Sequence, residues 1–434
     1  MHLPRSRWVV FAVAAVVAAG IGACSDNLES NAACPSLCPG LADSLRDTVV
    51  DAVMIDSSVS GFPAIGQEPF LLIGTRGDTL DTRAIIRYDS LPTFYVPTNS
   101  PTDSAIVGVD SASLMLRVDT SETKPGAPVT ISLYDVDTGG TDSSATDTAV
   151  AVLAPLFSPD RLLGSKTFAP ESLVDSLKVP LSNDSVYYKL SHGRPLRIGI
   201  QVTGTDRAQI RIGTSVNFVP PQLMFKPAPH GDTTGVTFLS LSPMTRTPVG
   251  SPLINDLQDY LIVLKGTPNT TAPLLTVGGL PGHRVYLRFN LPSSIVDSST
   301  VVRATLLLMQ VPNPLSPDAR DSTTVWPQAL LASSAITDLG RALRLLAAAG
   351  AIGLDTLERF APADSGLRQF EMVQLVRAWH TGLTATDPRA LALRTALEGE
   401  SGAEYWFYSS KGPLALRPRI RLTYAPNRSV GGSP

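Results

Sequence analysis

Arg284 and Arg288 stand four residues apart in Arg284-Val285-Tyr286-Leu287-Arg288-Phe289, and Arg83 and Arg87 repeat that spacing in Arg83-Ala84-Ile85-Ile86-Arg87-Tyr88. On an extended chain an even spacing puts both guanidiniums on one side. Arg offers a rigid fork of donors that suits carboxylates, so such a pair could bind an acidic ligand. The plainer reading is a charged outer face, or ion pairs to neighbouring strands. A second candidate is Tyr405-Trp406-Phe407-Tyr408, where alternation sends two aromatic rings to each face of a strand. An exposed pair of such rings is a platform on which a sugar can stack, having an apolar face and a polar tip. The alternative is that a loop or an inserted helix covers them.

The other reactive-looking residues have simpler readings. Asp135, Asp137, Asp142 and Asp147 lie among Gly and Ser, and oxygen ligands on a flexible turn suit Ca²⁺. The helix-loop-helix calcium spacing fails, because Thr146 stands where the final Glu should be, and a solvated loop explains the stretch. Arg76-Gly77-Asp78 has the letters of an adhesion motif but reads as a turn. Trp379 beside His380 reads as a core Trp at the end of a short helix. His192, His230, His283 and His380 are far apart in sequence, and neither a zinc spacing nor a Gly-x-Ser-x-Gly elbow is present. No pattern calls for a cofactor, and we expect a protein that is not an enzyme.

The N-terminus sets the compartment. Arg5 and Arg7 precede an unbroken apolar run from Trp8 to Ala19, shorter than the about 20 residues that span a bilayer. Ile21-Gly22-Ala23-Cys24 then resembles the lipobox of bacterial lipoproteins. The resemblance implies removal of residues 1–23 and acyl chains on Cys24 and on its new N-terminus, and several chains hold a protein on a membrane better than one does. Ser25 rather than Asp follows, which by analogy with lipoprotein sorting permits the outer membrane. Residues 24–44 are small and polar and read as a tether. Cys34 and Cys38, the only other cysteines, form a local disulfide in an exported chain or stay free.

These residues need a scaffold, and the sequence specifies its class. The chain has 434 residues, which at about 150 per domain allows two or three domains. Charged residues are 17%, with 33 Gly and 36 Pro between short apolar runs, a composition pointing to an all-β sandwich. A net charge of −3 gives no electrostatic case for nucleic acid. Strands are expected at 49–55, 70–74, 83–91, 109–118, 128–135, 185–190, 195–203, 208–212 and 221–225 within a first domain spanning 45–227. A second domain spanning 232–426 begins with strands near 236–241, 260–264 and 274–278, with a tail at 427–434. Residues 334–349 carry apolar side chains at helical spacing and read as a helical insertion, and Val373, Val376 and Trp379 fit one face of a short helix. The Arg-flanked strands and the closing strands recur in both parts, so one strand-rich unit reads as used twice.

Several of these runs together resemble the DNRLRE-type β-sandwich family, discussed among bacterial carbohydrate-binding modules. They are the Leu274-Leu275-Thr276-Val277-Gly278 lead-in, the Arg284-x-x-x-Arg288-Phe289-x-Leu291 strand, the Ala304 strand, the Val376-x-x-Trp379-x-x-Gly382 turn, the aromatic-Ser409-Ser410 run and the closing Arg417 to Tyr424 strand. The second part carries nearly all of them, and the first, without the Trp-containing turn, is a diverged copy. The resemblance implies two tandem jelly-roll-like antiparallel sandwiches, the second with a helical insertion, and non-catalytic glycan binding. It also places Tyr405 and Phe407 inward, leaving Trp406 and Tyr408 to face solvent. The expected partners are a membrane through the lipid anchor, a polysaccharide and possible envelope proteins, with no nucleic acid.

Overall fold

The computed structural model describes residues 45–426, except 63–67, 78–79, 99–101, 121–124, 140–145, 206–207, 217–219, 230–235, 246–256, 267–272, 281, 315, 317–321, 332–357, 381–388 and 397. The signal at 1–23, the tether with Cys24, Cys34 and Cys38, the insertion at 334–349, Asp142 and the tail at 427–434 fall outside the described residues.

The chain is an all-β sandwich of antiparallel sheets with a few short helices. In order the strands are β1 (Arg46–Phe62), β2 (Phe70–Arg76), β3 (Leu80–Tyr88), β4 (Phe94–Tyr95), β5 (Ser104–Ala105), β6 (Val109–Arg117), β7 (Val129–Asp135), β8 (Leu162–Phe168), β9 (Ser176–Leu181), β10 (Leu196–Gly204), β11 (Ala208–Gly213) and β12 (Gln222–Pro227). They continue with β13 (Leu239–Leu241), β14 (Asp259–Lys265), β15 (Leu274–Gly278), β16 (Gly282–Phe289), β17 (Ser299–Val311), β18 (Thr323–Leu331), β19 (Glu358–Phe360), β20 (Gly366–Glu371), β21 (Arg389–Thr395), β22 (Glu404–Tyr408) and β23 (Arg419–Pro426). The helices are α1 (Thr146–Leu153), α2 (Asn183–Ser191), α3 (Ser293–Val296) and α4 (Val373–His380).

Among the described residues two large cores form, each between two layers of strands, with a smaller cluster of Ile85, Val136, Leu153, Tyr260 and Ile262 beside the first. The first lies between the sheet β11-β2-β3-β10-β7-β8 and the sheet β13-β12-β6-β9, and is filled by Ile73, Ile86, Leu114, Ile131, Val179, Ile198 and Phe225. The second lies between β23-β17-β20 and β22-β15-β16-β21-β18-β19, and is filled by Val277, Leu287, Leu306, Phe370, Leu391, Phe407 and Ile420. Outer strands alternate as a half-buried strand must: Leu177, Val179 and Leu181 of β9 point inward while Ser176, Lys178 and Pro180 face solvent. The Arg-flanked segments are central strands, β3 and β16, with ladders on both sides.

Two expectations change. Residues 185–190 are not a strand but lie in α2. Ser182 caps that helix, its hydroxyl accepting the Ser185 N–H at 3.2 Å, and Val186 and Leu190, four apart, bury one face. Gly193, at φ +59°, ends the turn beyond it. Second, the expected parts 45–227 and 232–426 do not each close their own sheets. β1 pairs with β23, from Arg46 facing Tyr424 to Asp51 facing Arg419, and then with β16, from Ala52 facing Phe289 to Phe62 facing Gly282. β13 and β14 pair the other way, with β12 and β3. Local alternation marks a strand, but which strand it joins depends on contacts distant in sequence.

Candidate functional site

β7 ends at Asp135, and the turn that follows carries Asp137, Thr138 and Gly139 to the end of α2. With the turn Pro159–Arg161 and Arg194 these residues line an open cleft of about 660 Å³. The Lys189 ammonium lies inside the acidic wall, 2.9 Å from Asp135 Oδ2 and 2.9 Å from Asp137 Oδ2. Arg161 adds a hydrogen bond of 2.8 Å from its Nη2 to the Asp137 carbonyl oxygen. Burial pushes the Asp137 carboxyl up, but the hydrogen bonds from Lys189 and the Gly139 N–H outweigh it and hold the group below its ordinary range. Asp160 is also held low, by the Ser158 hydroxyl first. Neither carboxyl is therefore a proton donor near neutral pH. Tyr188 is 45% exposed at the cleft, with the His192 ring 4.3 Å and the Arg194 guanidinium 5.6 Å from its ring.

The sequence-derived candidates are not brought together there. The acidic stretch does reach the cleft, but Lys189 occupies the place between Asp135 and Asp137 that a calcium ion would need. Among the described residues no group of three or more His, Cys, Asp or Glu could hold a metal ion. Lys189 and Tyr188 were missed as site residues because 185–190 reads as a strand, and Arg161, in the turn Pro159–Arg161, carries no local signal of a site. Ser182 before an Asp in the first turn, with Val186 and Leu190 four apart, is the signal that identifies the helix.

Arg284 is no outer-face charge. It is 3% exposed and makes a two-pronged pair with Glu398, Nε to Oε1 at 2.8 Å and Nη2 to Oε2 at 2.7 Å. Arg394 joins Glu398 at 3.3 Å. Arg288, on the same side, is half-buried. In the first half Arg87 pairs with Asp89 at 2.8 Å and Arg83 with Asp81 at 3.0 Å. Arg83, Arg87 and Arg284 thus form ion pairs, the first two with acids two residues away in their own segment and Arg284 with Glu398.

Tyr405 and Phe407 point into the second core, as expected. Trp406 and Tyr408 lie on the other face but are only half-buried, not a free platform. The Trp406 indole N–H donates to Glu404 Oε1, and Gly412 packs close against the Tyr408 ring. Neither ring lines the cleft beside α2 or the smaller one, of about 230 Å³, between Arg303 and Arg421.

Glu398-Gly399-Glu400 also joins the two halves. Glu400 reaches Arg211, 3.8 Å away, which itself pairs with Asp119. Burial pushes the Glu400 carboxyl up to about 7, and burial pushes Asp259, which accepts the Ser215 N–H, up to about 6. A carboxyl with a raised folded-state pKa favours the protonated form, so its contribution is full at low pH and is lost as pH rises through the folded value. Stability is expected to fall from about pH 4, near the unfolded values, to about pH 7, near the folded value of Glu400, by about 1–2 kcal/mol for Glu400 after allowing for solvent screening. Glu400→Gln should flatten that slope in urea unfolding measured at about pH 4, 5, 6 and 7. An unchanged slope would mean that Glu400 is ordinarily ionised.

No family model matches this chain, and no curated protein matches it. Three solved structures of infectious bursal disease virus align at 10% identity each. The T=1 particles derived from the virus align over 88% of this chain and 75% of that one at a TM-score of 0.12. The VP2 subviral particle gives 88%, 76% and 0.12, and the Gx strain 88%, 80% and 0.14. Scores this low establish no common fold.

Proposed function

We propose that this chain is a lipoprotein of the cell envelope, held through Cys24 and sorted to the outer membrane, whose sandwiches bind a glycan or related surface polymer without altering it. The observation that carries the reading is the open cleft beside α2. It presents Arg161, Asp160 and the exposed Tyr188 to solvent, a mixture of charged donors and acceptors with an aromatic ring. Sugars present hydroxyls to such groups and a C–H face to a ring. The carboxyls held low there favour binding over acid catalysis, since a general acid needs a raised pKa. The resemblance to DNRLRE-type modules agrees with this reading. Among the described residues no helix is long and apolar enough to cross a membrane, so a lipid on Cys24 would supply the attachment.

A glycan array probed with residues 24–434 tests the proposal. Binding is expected, and Tyr188→Ala or Arg161→Ala should weaken it by about tenfold, about 1.4 kcal/mol. Trp406→Ala should leave it unchanged. No binding to any polysaccharide would remove the reading.

A second reading, a structural lipoprotein contacting protein partners, draws on one patch. Phe94 and Val96 are 57% and 61% exposed beside the β4–β5 pair, with Val107 exposed nearby. In-cell photo-cross-linking from position 94 would recover a stoichiometric partner if this reading holds.

A further inference from the structure

The two halves share one pairing pattern. The order β11-β2-β3-β10-β7-β8 is matched by β22-β15-β16-β21-β18-β19, and β12-β6-β9 by β23-β17-β20. α2 lies between β9 and β10, and α4 between β20 and β21. The registers agree as well. Arg83 faces Ile262 of β14, and Arg284, at the matching place, faces Val59 of β1. Phe225 faces Leu239 of β13, and Leu422, which stands as far beyond Pro418 as Phe225 does beyond Pro221, faces Thr48 of β1. One strand, β1, thus does in the second half what β13 and β14 together do in the first.

Chain order makes this pairing crossed. β1 directly precedes β2 in sequence, yet it joins β16 and β23. β13 and β14 directly precede β15, yet they join β12 and β3. In an uncrossed chain each leading segment would pair within the half that follows it.

We infer that the halves are two copies of one module that have exchanged leading strands, and that the slot between β16 and β23 is a strand-acceptor site whose ligand is an extended peptide, residues 46–62 of this chain. The chemistry of the slot is that of strand addition: backbone ladders give affinity, and alternate side chains fix the register. Val50 packs against the second core. Polar contacts hold the rest. Thr423 Oγ1 donates to Asp47 Oδ1 at 2.6 Å, Arg421 Nη2 donates to Asp47 Oδ2 at 3.0 Å, and the Thr276 N–H donates to Ser58 Oγ at 2.7 Å. The same contacts form whether the segment arrives in the same chain or as a separate piece, which is the basis of strand swapping.

Two cysteine pairs in the full chain, with Cys24, Cys34 and Cys38 changed to Ser, distinguish crossed from uncrossed pairing. Val49 faces Arg421, so Val49→Cys with Arg421→Cys should close an intramolecular disulfide on mild oxidation. Met224 faces Ser240, the counterpart of Val49, so Val49→Cys with Met224→Cys would close only in an uncrossed chain and should stay reduced. The reverse outcome overturns the exchange. A protease site inserted within 63–67 then tests the slot itself. After cleavage the fragment carrying residues 46–62 should co-elute with the rest of the chain in gel filtration, and an excess of the free peptide should replace it while a scrambled one does not. Departure of the fragment in native buffer would overturn the acceptor site.

Discussion

Arg284→Ala is expected to lower the unfolding free energy by about 3–5 kcal/mol, read as a shift in the urea midpoint at pH 7. The reason is what remains. Glu398 is 7% exposed and loses both hydrogen bonds from the guanidinium, keeping, among the described residues, Arg394 at 3.3 Å. A charge so buried keeps its desolvation cost and loses most of the attraction that offset it. Arg284→Met with Glu398→Leu should recover much of the loss, because an apolar pair of similar volume carries no such cost. Arg288→Ala, four residues on and only half-buried, should change stability by less than about 1 kcal/mol. Equal effects at the two arginines would contradict the assignment of Arg284 as a structural ion-pair residue.

Trp379→Ala should be of similar size, about 3–5 kcal/mol, by a different route. The Trp379 side chain is fully buried and, with Val376 one turn earlier on α4, packs into the second core. Removing the largest buried side chain leaves a cavity that β17 and α4 can only partly fill. Trp379→Phe keeps most of the volume and should cost less than half as much. Glycan binding at the cleft beside α2 should be untouched by either, since that cleft belongs to the first half. A loss of binding with stability retained would instead make Trp379 part of a site.

Much of this fold is legible from local pattern. Alternation of buried and more exposed side chains marks β9 and β12, the central Arg-flanked strands β3 and β16 are buried almost throughout and stand out instead as apolar β-rich runs, and the spacing of Val373, Val376 and Trp379 marks α4. Two things escape local pattern. α2 is short, and its apolar residues at 186 and 190 are read as easily into a strand as into a helix until the Ser182 cap is weighed. The partner of β1 is a question of pairing between residues more than 200 apart, as with Ser57 and Tyr286, and no periodicity encodes it. The candidate site follows the same division. Alternation along β22 separates Trp406 and Tyr408 from the core, but not the Glu404 contact and the turn at Gly412 that half-cover them. The cleft beside α2 is assembled from three separate stretches, so Lys189 meets Asp135 and Asp137 only once β7 and the helix are in place.

Hydrogen exchange of the chain with and without a glycan that it binds separates these surfaces most directly. New protection is expected in peptides covering residues 135–139, 158–163 and 184–194, around the cleft. Protection confined to residues 404–412, around Trp406 and Tyr408, or no change anywhere at saturating glycan, would contradict the cleft as the ligand site.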